Sequence, residues 1–361
     1  MQASVKYCCE SGYAHPTPTQ LFYRSWNIYL TNQRLRRNKM TNNITLVTGG
    51  AGAIGFQLAK FLSDKDRKIY IADNFIRSER DIEFLELTSK KNVHEIKIDL
   101  SDFSQYDLLP DDVEYIYHLA AFNGTQNFYE RSFQVLLHST LPTLNLIQKY
   151  ARNERLKRFV YAASSESYAC SVTRFGWEVP TDESVPLGVE NPLNPRWSYG
   201  GSKMHGELAC VAANAEFNFP FTVLRYHNIY GPRMGDKHLV PDFIERAKNN
   251  KFELFGHEDT RSFLYVLDAV RATIAVAECE EAANQIVHLG SAEEIKILDV
   301  AKIMMNIMGR NEEITLHPSP KGSVKRRSPN ISKLKDLTGF APEYSLEEGL
   351  KATIEYYMKK P

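Results

Sequence analysis

The most informative reactive pair in the sequence is a tyrosine followed four residues later by a lysine. Tyr199 and Lys203 occur in the segment WSYGGSKMH, which is predicted to be helical. At this spacing both side chains project from one face of the helix. A positive ammonium near a phenol favours the phenolate, lowers its pKa and makes the tyrosine usable as a base near neutral pH. Because such pairs are common by chance, the surrounding elements must decide whether they form a site.

A short polar run, Ser164-Ser165-Glu166, directly follows an apolar strand in the segment YAASSESYA. It supplies two hydroxyls and a carboxylate at a point where a sheet would open to solvent. A solvated loop explains such a run equally well when the run is taken alone. The rest of the chain therefore decides between a loop and a site.

A glycine-rich turn lies between the first predicted strand and the first helix, in the segment LVTGGAGAIG at 46–55. Glycines permit a tight turn and a close approach of the backbone to a pyrophosphate, which then sits on the helix N-terminus. Asp73 ends the second strand, where its carboxylate can bind ribose hydroxyls and repel a 2′-phosphate, so NAD is favoured over NADP. Arg77 and Arg80 lie nearby and keep NADP as the alternative. The predicted cofactor-binding residues are Gly49, Gly52, Ala53, Ile54, Gly55, Asp73, Asn74, Asp99, Leu100, Ala120, Ala121, Tyr199 and Lys203.

The elements that must position these residues alternate between strand and helix. Strands are predicted at 44–48, 68–72, 93–98, 114–119, 158–163 and 221–225, with long helices at 131–150 and 198–216. This order predicts an α/β fold, a Rossmann-type doubly wound parallel sheet, over residues 43–230. The rhythm then changes to strands at 252–255, 262–266 and 285–289 and helices at 268–280, 297–309 and 346–358. Residues 231–361 are therefore expected to form mainly a smaller mixed α/β substrate lobe, partly interleaved with the first domain.

The composition excludes several classes of protein. The 361 residues carry 44 basic and 44 acidic side chains, so nothing indicates binding to nucleic acid or to an anionic membrane. The five cysteines contain no CxxC pair and the ten histidines are scattered, so we expect no metal site and a cytoplasmic location. Residues 1–42 are basic, and we expect a disordered extension or an upstream start, with a transit peptide as the alternative.

Several motifs in order resemble one enzyme family. TGGAGAIG, HLAA at 118–121, SSES, YGGSK and LRYHNIYGPR at 224–233 are similar to the extended short-chain dehydrogenase/reductases, and more narrowly to the NAD-dependent nucleotide-sugar epimerase/dehydratases. The resemblance covers residues 43–358. It implies a nucleotide-diphosphate sugar as substrate and a homodimer paired through the helices at 131–150 and around Tyr199. Val135, Leu136, Leu144 and Ile147 are the apolar residues expected on that surface, or else they cover the sheet.

The resemblance also implies roles for individual residues. Ser164 would hydrogen-bond the sugar hydroxyl that is oxidised, Tyr199 would take its proton, and Lys203 would hold the nicotinamide ribose. Asn228 would line the substrate side, and Arg261 and Arg327 resemble the arginines that clamp the diphosphate, for which a forked guanidinium is suited. The predicted substrate-binding residues are Ser164, Ser165, Asn228, Arg233, Arg261 and Arg327.

Glu166 decides between related reactions. Ser164-Ser165-Glu166 resembles the run in 4,6-dehydratases and nucleotide-sugar decarboxylases, whose glutamate occupies this position, so Glu166 is a fourth candidate catalytic residue beside Ser164, Tyr199 and Lys203. We take a 4,6-dehydratase as the leading interpretation, with a 4-epimerase next and a decarboxylase third. A non-catalytic NAD-binding regulatory protein is the alternative outside enzymes. As the C5 base of a dehydratase, Glu166 is expected to have its pKa raised by burial.

Overall fold

A parallel sheet of seven strands forms the centre of the computed structural model, which describes residues 43–65, 67–235, 238–319 and 324–359. In chain order the strands are β1 Ile44–Thr48, β2 Lys68–Asp73, β3 Val93–Lys97, β4 Tyr115–His118, β5 Arg158–Ser164, β6 Phe221–Tyr226, β7 Ile229–Tyr230, β8 Glu253–Phe255, β9 Thr260–Ser262, β10 Leu264–Tyr265, β11 Gln285–Leu289, β12 Glu294–Lys296, β13 Thr315–His317 and β14 Arg326–Arg327. The order across the sheet is β11-β6-β5-β4-β1-β2-β3. The Rossmann-type doubly wound fold is thus confirmed.

Helices cover both faces of this sheet. They are α1 Ala53–Ser63, α2 Ile82–Thr88, α3 Thr125–Glu130, α4 Ser132–Tyr150, α5 Ala169–Phe175, α6 Trp197–Phe217, α7 Leu239–Lys248, α8 Val266–Glu278, α9 Ile297–Ile307, α10 Ser332–Thr338 and α11 Leu346–Lys359. Val47 of β1 packs in one apolar cluster with α1 and α8, and the adjacent Leu46 packs in a second cluster with α4 and α6. Because neighbouring side chains point to opposite faces, strands buried on both faces read as continuous apolar runs.

Smaller sheets and a third apolar cluster lie beyond β6. Strand β8 pairs with β13, β9 with β12 and β14, and β7 with β10. Helices α7, α9 and α11 share the third cluster, which includes Phe243, Met304 and Leu350. The predicted boundary between the two domains, at residues 230 and 231, stays a prediction. The disordered extension expected at residues 1–42 lies outside the described residues.

The helix predicted at 131–150 is confirmed as α4, and the short helix α3 before it is separate because the backbone leaves helical geometry at Arg131 (φ −134°, ψ 35°). Two strands differ from the expectations. The strand predicted at 262–266 is split into β9 and β10, and helix α8 already begins at Val266. Strand β11, which we assigned to the smaller lobe, is an edge strand of the main sheet beside β6. A parallel partner so distant in the chain leaves no local pattern.

The surface of the helices gives two further results. Of the expected dimer-surface residues, Val135 and Ile147 are buried in the core, whereas Leu136 and Leu144 are exposed. None of the helices in the described part of the chain is both long and apolar enough to cross a membrane.

Candidate active site

A cavity of about 480 Å3 opens where strands of the main sheet end. Gly49 follows β1, Asp73 ends β2, Ala120 follows β4, Ser164 ends β5 and Asn228 follows β6, and all five line the cavity. Strand β1 lies between β2 and β4, so the order in which strands are added to the sheet changes direction here: β2 and β3 follow on one side, and β4, β5 and β6 on the other. A crevice outside the carboxyl ends at such a reversal is the usual ligand site of open α/β sheets.

The glycine turn leaves the N-terminus of α1 open to the cavity. Gly49 has a φ of +67°, and a Cβ there would lie 2.8 Å from the backbone of Ala120. A Cβ on Gly55 would lie 2.3 Å from the carbonyl oxygen of Gly49. No side chain caps α1 at Gly52, so its first amides remain available to an anion. The turn fits a dinucleotide pyrophosphate on these grounds.

Asp73 is held rigidly beside this turn. Its carboxylate accepts hydrogen bonds from the amides of Ala51 (3.0 Å) and Phe75 (2.9 Å) and from the hydroxyl of Ser78 (3.0 Å). A carboxylate has about four acceptor positions, so capacity remains for a ribose hydroxyl. Arg80, one of the two arginines on which the NADP alternative rests, forms an ion pair with Glu95.

The predicted cofactor residues converge on the cavity. The lining includes Gly49, Gly52, Ala53, Ile54, Gly55, Asp73, Asn74, Asp99, Leu100, Ala120, Ala121, Tyr199 and Lys203. Asp99 accepts a hydrogen bond from the amide of Ser101 (2.9 Å) and keeps 39% of its side chain exposed. Their roles in binding remain predictions.

Tyr199 and Lys203 lie together at the floor of the cavity, and both are buried. The ammonium of Lys203 donates to the carbonyl of Ala162 (2.6 Å) and lies 5.7 Å from the centre of the Tyr199 ring. Burial, and after it the charge of Glu166, raise the pKa of Tyr199 to about 12, although a hydrogen bond with Ser164 opposes the rise. Our expectation of a lowered pKa is therefore wrong for the protein alone, because loss of solvent outweighs the lysine.

Glu166 lies between two arginines beside this pair. Arg327 donates to its carboxylate at 2.7 Å and Arg196 approaches it at 3.4 Å. Burial alone would raise the pKa of Glu166, but Arg327 and Arg196 together lower it below its ordinary value. The expected rise is therefore wrong, because two cations offset the loss of solvent. Glu166 is ionised at neutral pH.

The other predicted substrate residues divide into two groups. Ser165, Asn228, Arg233 and Arg327 line the cavity. Arg233 is also paired with two acids of the α2 region and stacks 4.1 Å from the Phe56 ring centre. Arg261 is not part of the lining: it donates to the carbonyl of its neighbour Thr260 (2.7 Å). Their contacts with substrate remain predictions.

Two residues that contact the reactive groups escaped the sequence reasoning: Phe128 lines the cavity, whereas Arg196 is not part of its lining and contacts Glu166. Arg196 stands three residues before Tyr199, and its position at the start of the same helix was a usable signal. Phe128 comes from α3 and stacks on the ring of Tyr199, with centroids 4.9 Å apart and planes 11° apart. The contact between the rings of Phe128 and Tyr199 could not be predicted from the sequence, because the two residues lie far apart in the chain.

The fold and the cavity define a dinucleotide-dependent enzyme with a serine, a tyrosine and a lysine at its reactive end. The chain belongs to the NAD dependent epimerase/dehydratase family, whose model matches residues 45–290. It is therefore an NAD-dependent enzyme, and the alternative of a non-catalytic NAD-binding protein is set aside. No group of three or more metal-ligating side chains occurs within the described ranges.

Similar proteins act on nucleotide sugars. The chain is 31% identical to the UDP-N-acetyl-alpha-D-glucosaminuronate decarboxylase of Bacillus cytotoxicus, over 86% of this chain and 97% of that one. It is 30% identical to UDP-glucuronic acid decarboxylase 1 of Xenopus tropicalis, over 87% of this chain and 72% of that one. The crystal structure of UDP-glucuronic acid 4-epimerase from Bacillus cereus, with UDP-glucuronic acid and NAD, superposes with a TM-score of 0.76 at 27% identity, over 88% and 99% of the two chains.

Proposed function

We propose that this protein is an NAD-dependent decarboxylase of a nucleotide-linked hexuronic acid that acts through a transient 4-ketone. The observation that carries the proposal is the cluster of Arg327, Arg196 and an ionised Glu166 beside Tyr199. Arg327 lines the cavity and has donors left for a second anion beside Glu166, and a sugar carboxylate is the matching group. The curated relatives named above act on uronic acids, which supports this choice over the leading expectation of a 4,6-dehydratase.

The first step is oxidation of the C4 hydroxyl. Ser164 and Tyr199 hydrogen-bond that hydroxyl, and the oxygen of Tyr199 takes its proton. Lys203, a buried cation next to Tyr199, stabilises the phenolate that this role requires. Bound NAD supplies the hydride acceptor and later returns the hydride.

Loss of carbon dioxide follows from the chemistry of the 4-ketone. The C5–carboxyl bond breaks, its electron pair moves toward the C4 oxygen to form an enolate, and carbon dioxide leaves. Arg327 orients the carboxylate, and Tyr199, protonated in the first step, donates a hydrogen bond to the enolate oxygen. A proton from water then adds at C5 and restores the 4-ketone. Hydride returned to C4 and the proton of Tyr199 transferred to the C4 oxygen would restore the hydroxyl.

In the described lining of the cavity, no residue supplies the second acid that a dehydratase would use beside Glu166. Loss of the C6 hydroxyl as water needs an acid near Glu166, and the position of Ser165, which is an acid in some dehydratases, holds a hydroxyl. Among the described residues that line the cavity, the other carboxylates are Asp73 and Asp99, at the ends of β2 and β3. Glu166 is ionised and could act as the C5 base, so what weighs against a dehydratase is the missing second acid beside Glu166 in this described lining.

A 4-epimerase is the second candidate. Ser164, Tyr199 and Lys203 are sufficient for oxidation at C4 and return of hydride to the other face. The structural similarity to 4-epimerases from Bacillus cereus and Thermotoga maritima supports this candidate.

The test is incubation with UDP-glucuronic acid, UDP-N-acetylglucosaminuronic acid and UDP-glucose, followed by mass spectrometry of the products. We expect a loss equal to carbon dioxide from one of the uronic acids and no reaction in Tyr199→Phe. An unchanged mass with a new C4 epimer would favour the epimerase, and a loss of water from UDP-glucose would restore the dehydratase.

We also infer a homodimer, paired through helices α4 and α6. These helices pack against each other and expose an apolar surface formed by Phe133, Leu136, Leu144, Leu208 and Val211. Leu208 is 65% exposed and Phe133 69% exposed. Exposed apolar residues on two helices that pack against each other are what a four-helix interface would require.

A further inference from the structure

A buried ion pair lies directly behind the reactive residues and has no part in the reaction described above. Glu207 of α6 and Arg225 of β6 are each 2% exposed. Arg225 donates hydrogen bonds to this carboxylate from two nitrogens, Nη2 at 2.9 Å and Nε at 3.1 Å. A bidentate ion pair of this kind fixes the orientation of both side chains.

One hydroxyl connects this pair with the catalytic segment, residues 164–168. The oxygen of Ser167 lies 3.1 Å from Oε1 of Glu207 and 2.7 Å from the carbonyl oxygen of Ser164. Ser167 is fully buried, so these two acceptors define its surroundings. The loop that presents Ser164 and Glu166 is thus tied to Glu207 through one side chain.

The same carboxylate acts on Lys203. Glu207 follows Lys203 by one helical turn, so both lie on one side of α6. Burial lowers the pKa of Lys203 to about 8, and the charge of Glu207 opposes that decrease. The other titratable groups around the lysine are Tyr161 and Tyr199, whose rings lie within 6 Å of its ammonium, and His118 of β4. Burial lowers the pKa of His118 to about 3 and raises those of both phenols, so all three are neutral.

Arg225 anchors Glu207 from the far side. Its Nη1 donates to the carbonyl of Glu183 (3.2 Å), and the amide of His288 in β11 donates to the carboxylate of Glu183 (2.8 Å). The carboxylate of Glu207 is therefore held from α6, β6 and the loop that carries Glu183, and it has little freedom to move.

We propose that Glu207 is a positioning residue for both halves of the active site. Through Ser167 it holds the segment that carries Ser164 and Glu166, and through its charge it keeps Lys203 protonated for the nicotinamide ribose. The role does not depend on which sugar reaction the enzyme performs.

The first experiment measures NAD binding by calorimetry as a function of pH, without substrate. Affinity should fall as pH rises through the pKa of Lys203. In Glu207→Gln the midpoint of that fall should move to lower pH by about one unit, the size of a shift caused by a nearby opposite charge. The control is Glu216→Gln, an exposed glutamate of the same helix, which should leave the midpoint unchanged. An unchanged midpoint in Glu207→Gln would overturn the electrostatic part.

The second experiment leaves the ion pair intact and covers the case in which Glu207→Gln does not fold. Ser167→Ala should increase hydrogen exchange at the amides of 164–168 and lower kcat by on the order of tenfold, as expected for one lost hydrogen bond. The NAD-binding midpoint should stay where it is, and Ser167→Thr should restore kcat. If Ser167→Ala has the same hydrogen exchange at 164–168 and the same kcat as the parent protein, the positioning role of Glu207 is wrong.

Discussion

Arg327 on β14 donates a hydrogen bond to the carboxylate of Glu166 at 2.7 Å, which joins the smaller sheets to the segment that follows β5. The expected diphosphate contact of Arg327 stays a prediction, whereas the expected rise in the pKa of Glu166 is wrong. Their pairing gives an ionised carboxylate and a guanidinium at the reactive end of the cavity. The proposed choice of a uronic acid depends on this pair.

The first prediction concerns Arg327. Arg327→Lys keeps the charge but loses the forked geometry, so kcat for decarboxylation should fall by roughly tenfold to a hundredfold, the effect of losing a hydrogen bond to a charged group. NAD affinity should not change. Arg326→Lys is the matched control, because Arg326 is exposed and paired with Glu294. Equal kcat values for the two variants would remove Arg327 from the reaction.

The second prediction concerns the choice of cofactor. Asp73→Ala removes the carboxylate that is predicted to bind the ribose, so NAD affinity should fall by more than tenfold while NADP affinity changes far less. The variant also loses acceptors for the amides of Ala51 and Phe75. Measuring both nucleotides on the same variant cancels this structural effect. A constant ratio of the two affinities would contradict the role of Asp73.

The third prediction concerns stability and pH. The folded protein lowers the pKa of Glu166 below 4.5, so its charged form contributes stability above the pKa of the unfolded chain, and this contribution is lost as pH falls through the folded pKa. Glu166→Gln should therefore lower the free energy of unfolding at neutral pH, and its difference from the parent should shrink on acidification below pH 4.5. Denaturant titrations at several pH values across this range measure the difference in free energy of unfolding, with Glu216→Gln as the control. A difference that stays constant with pH would show that the ion pairs contribute nothing.

The fourth prediction concerns assembly. Leu208→Glu places a charge on the exposed apolar face of α6 and should convert a dimer into a monomer in sedimentation at micromolar concentration. Leu193→Glu is the control, since Leu193 is 89% exposed and belongs to neither α4 nor α6. If the parent is itself a monomer at that concentration, the proposed dimer is wrong.

Local patterns were sufficient for six of the seven strands of the main sheet, with β11 as the exception, and for the glycine turn and Asp73 that line the cavity. Strands buried on both faces appear as apolar runs, and a glycine turn followed by a helix has one common use. The faces of α4 were less certain, because Val135 and Leu136 are adjacent and equally apolar, yet only Val135 is buried.

The charges of the site could not be predicted from spacing. Arg327 and Glu166 are brought together by tertiary structure, since β14 pairs with β9 and its last residue, Arg327, contacts Glu166 just after the end of β5. Burial and charge pairing then set the direction of each pKa shift. Both expected pKa directions were wrong because the sequence shows a charged neighbour but not how much solvent remains.

The most direct test of the central claim follows the carboxyl carbon of the substrate. The protein is incubated with NAD and UDP-glucuronic acid labelled at the carboxyl carbon, in heavy water. We predict that the label is released as carbon dioxide, that the sugar product carries one solvent deuterium at C5, and that Tyr199→Phe releases no label. Label retained in the sugar of a turned-over product would contradict the decarboxylase and leave the 4-epimerase as the better account.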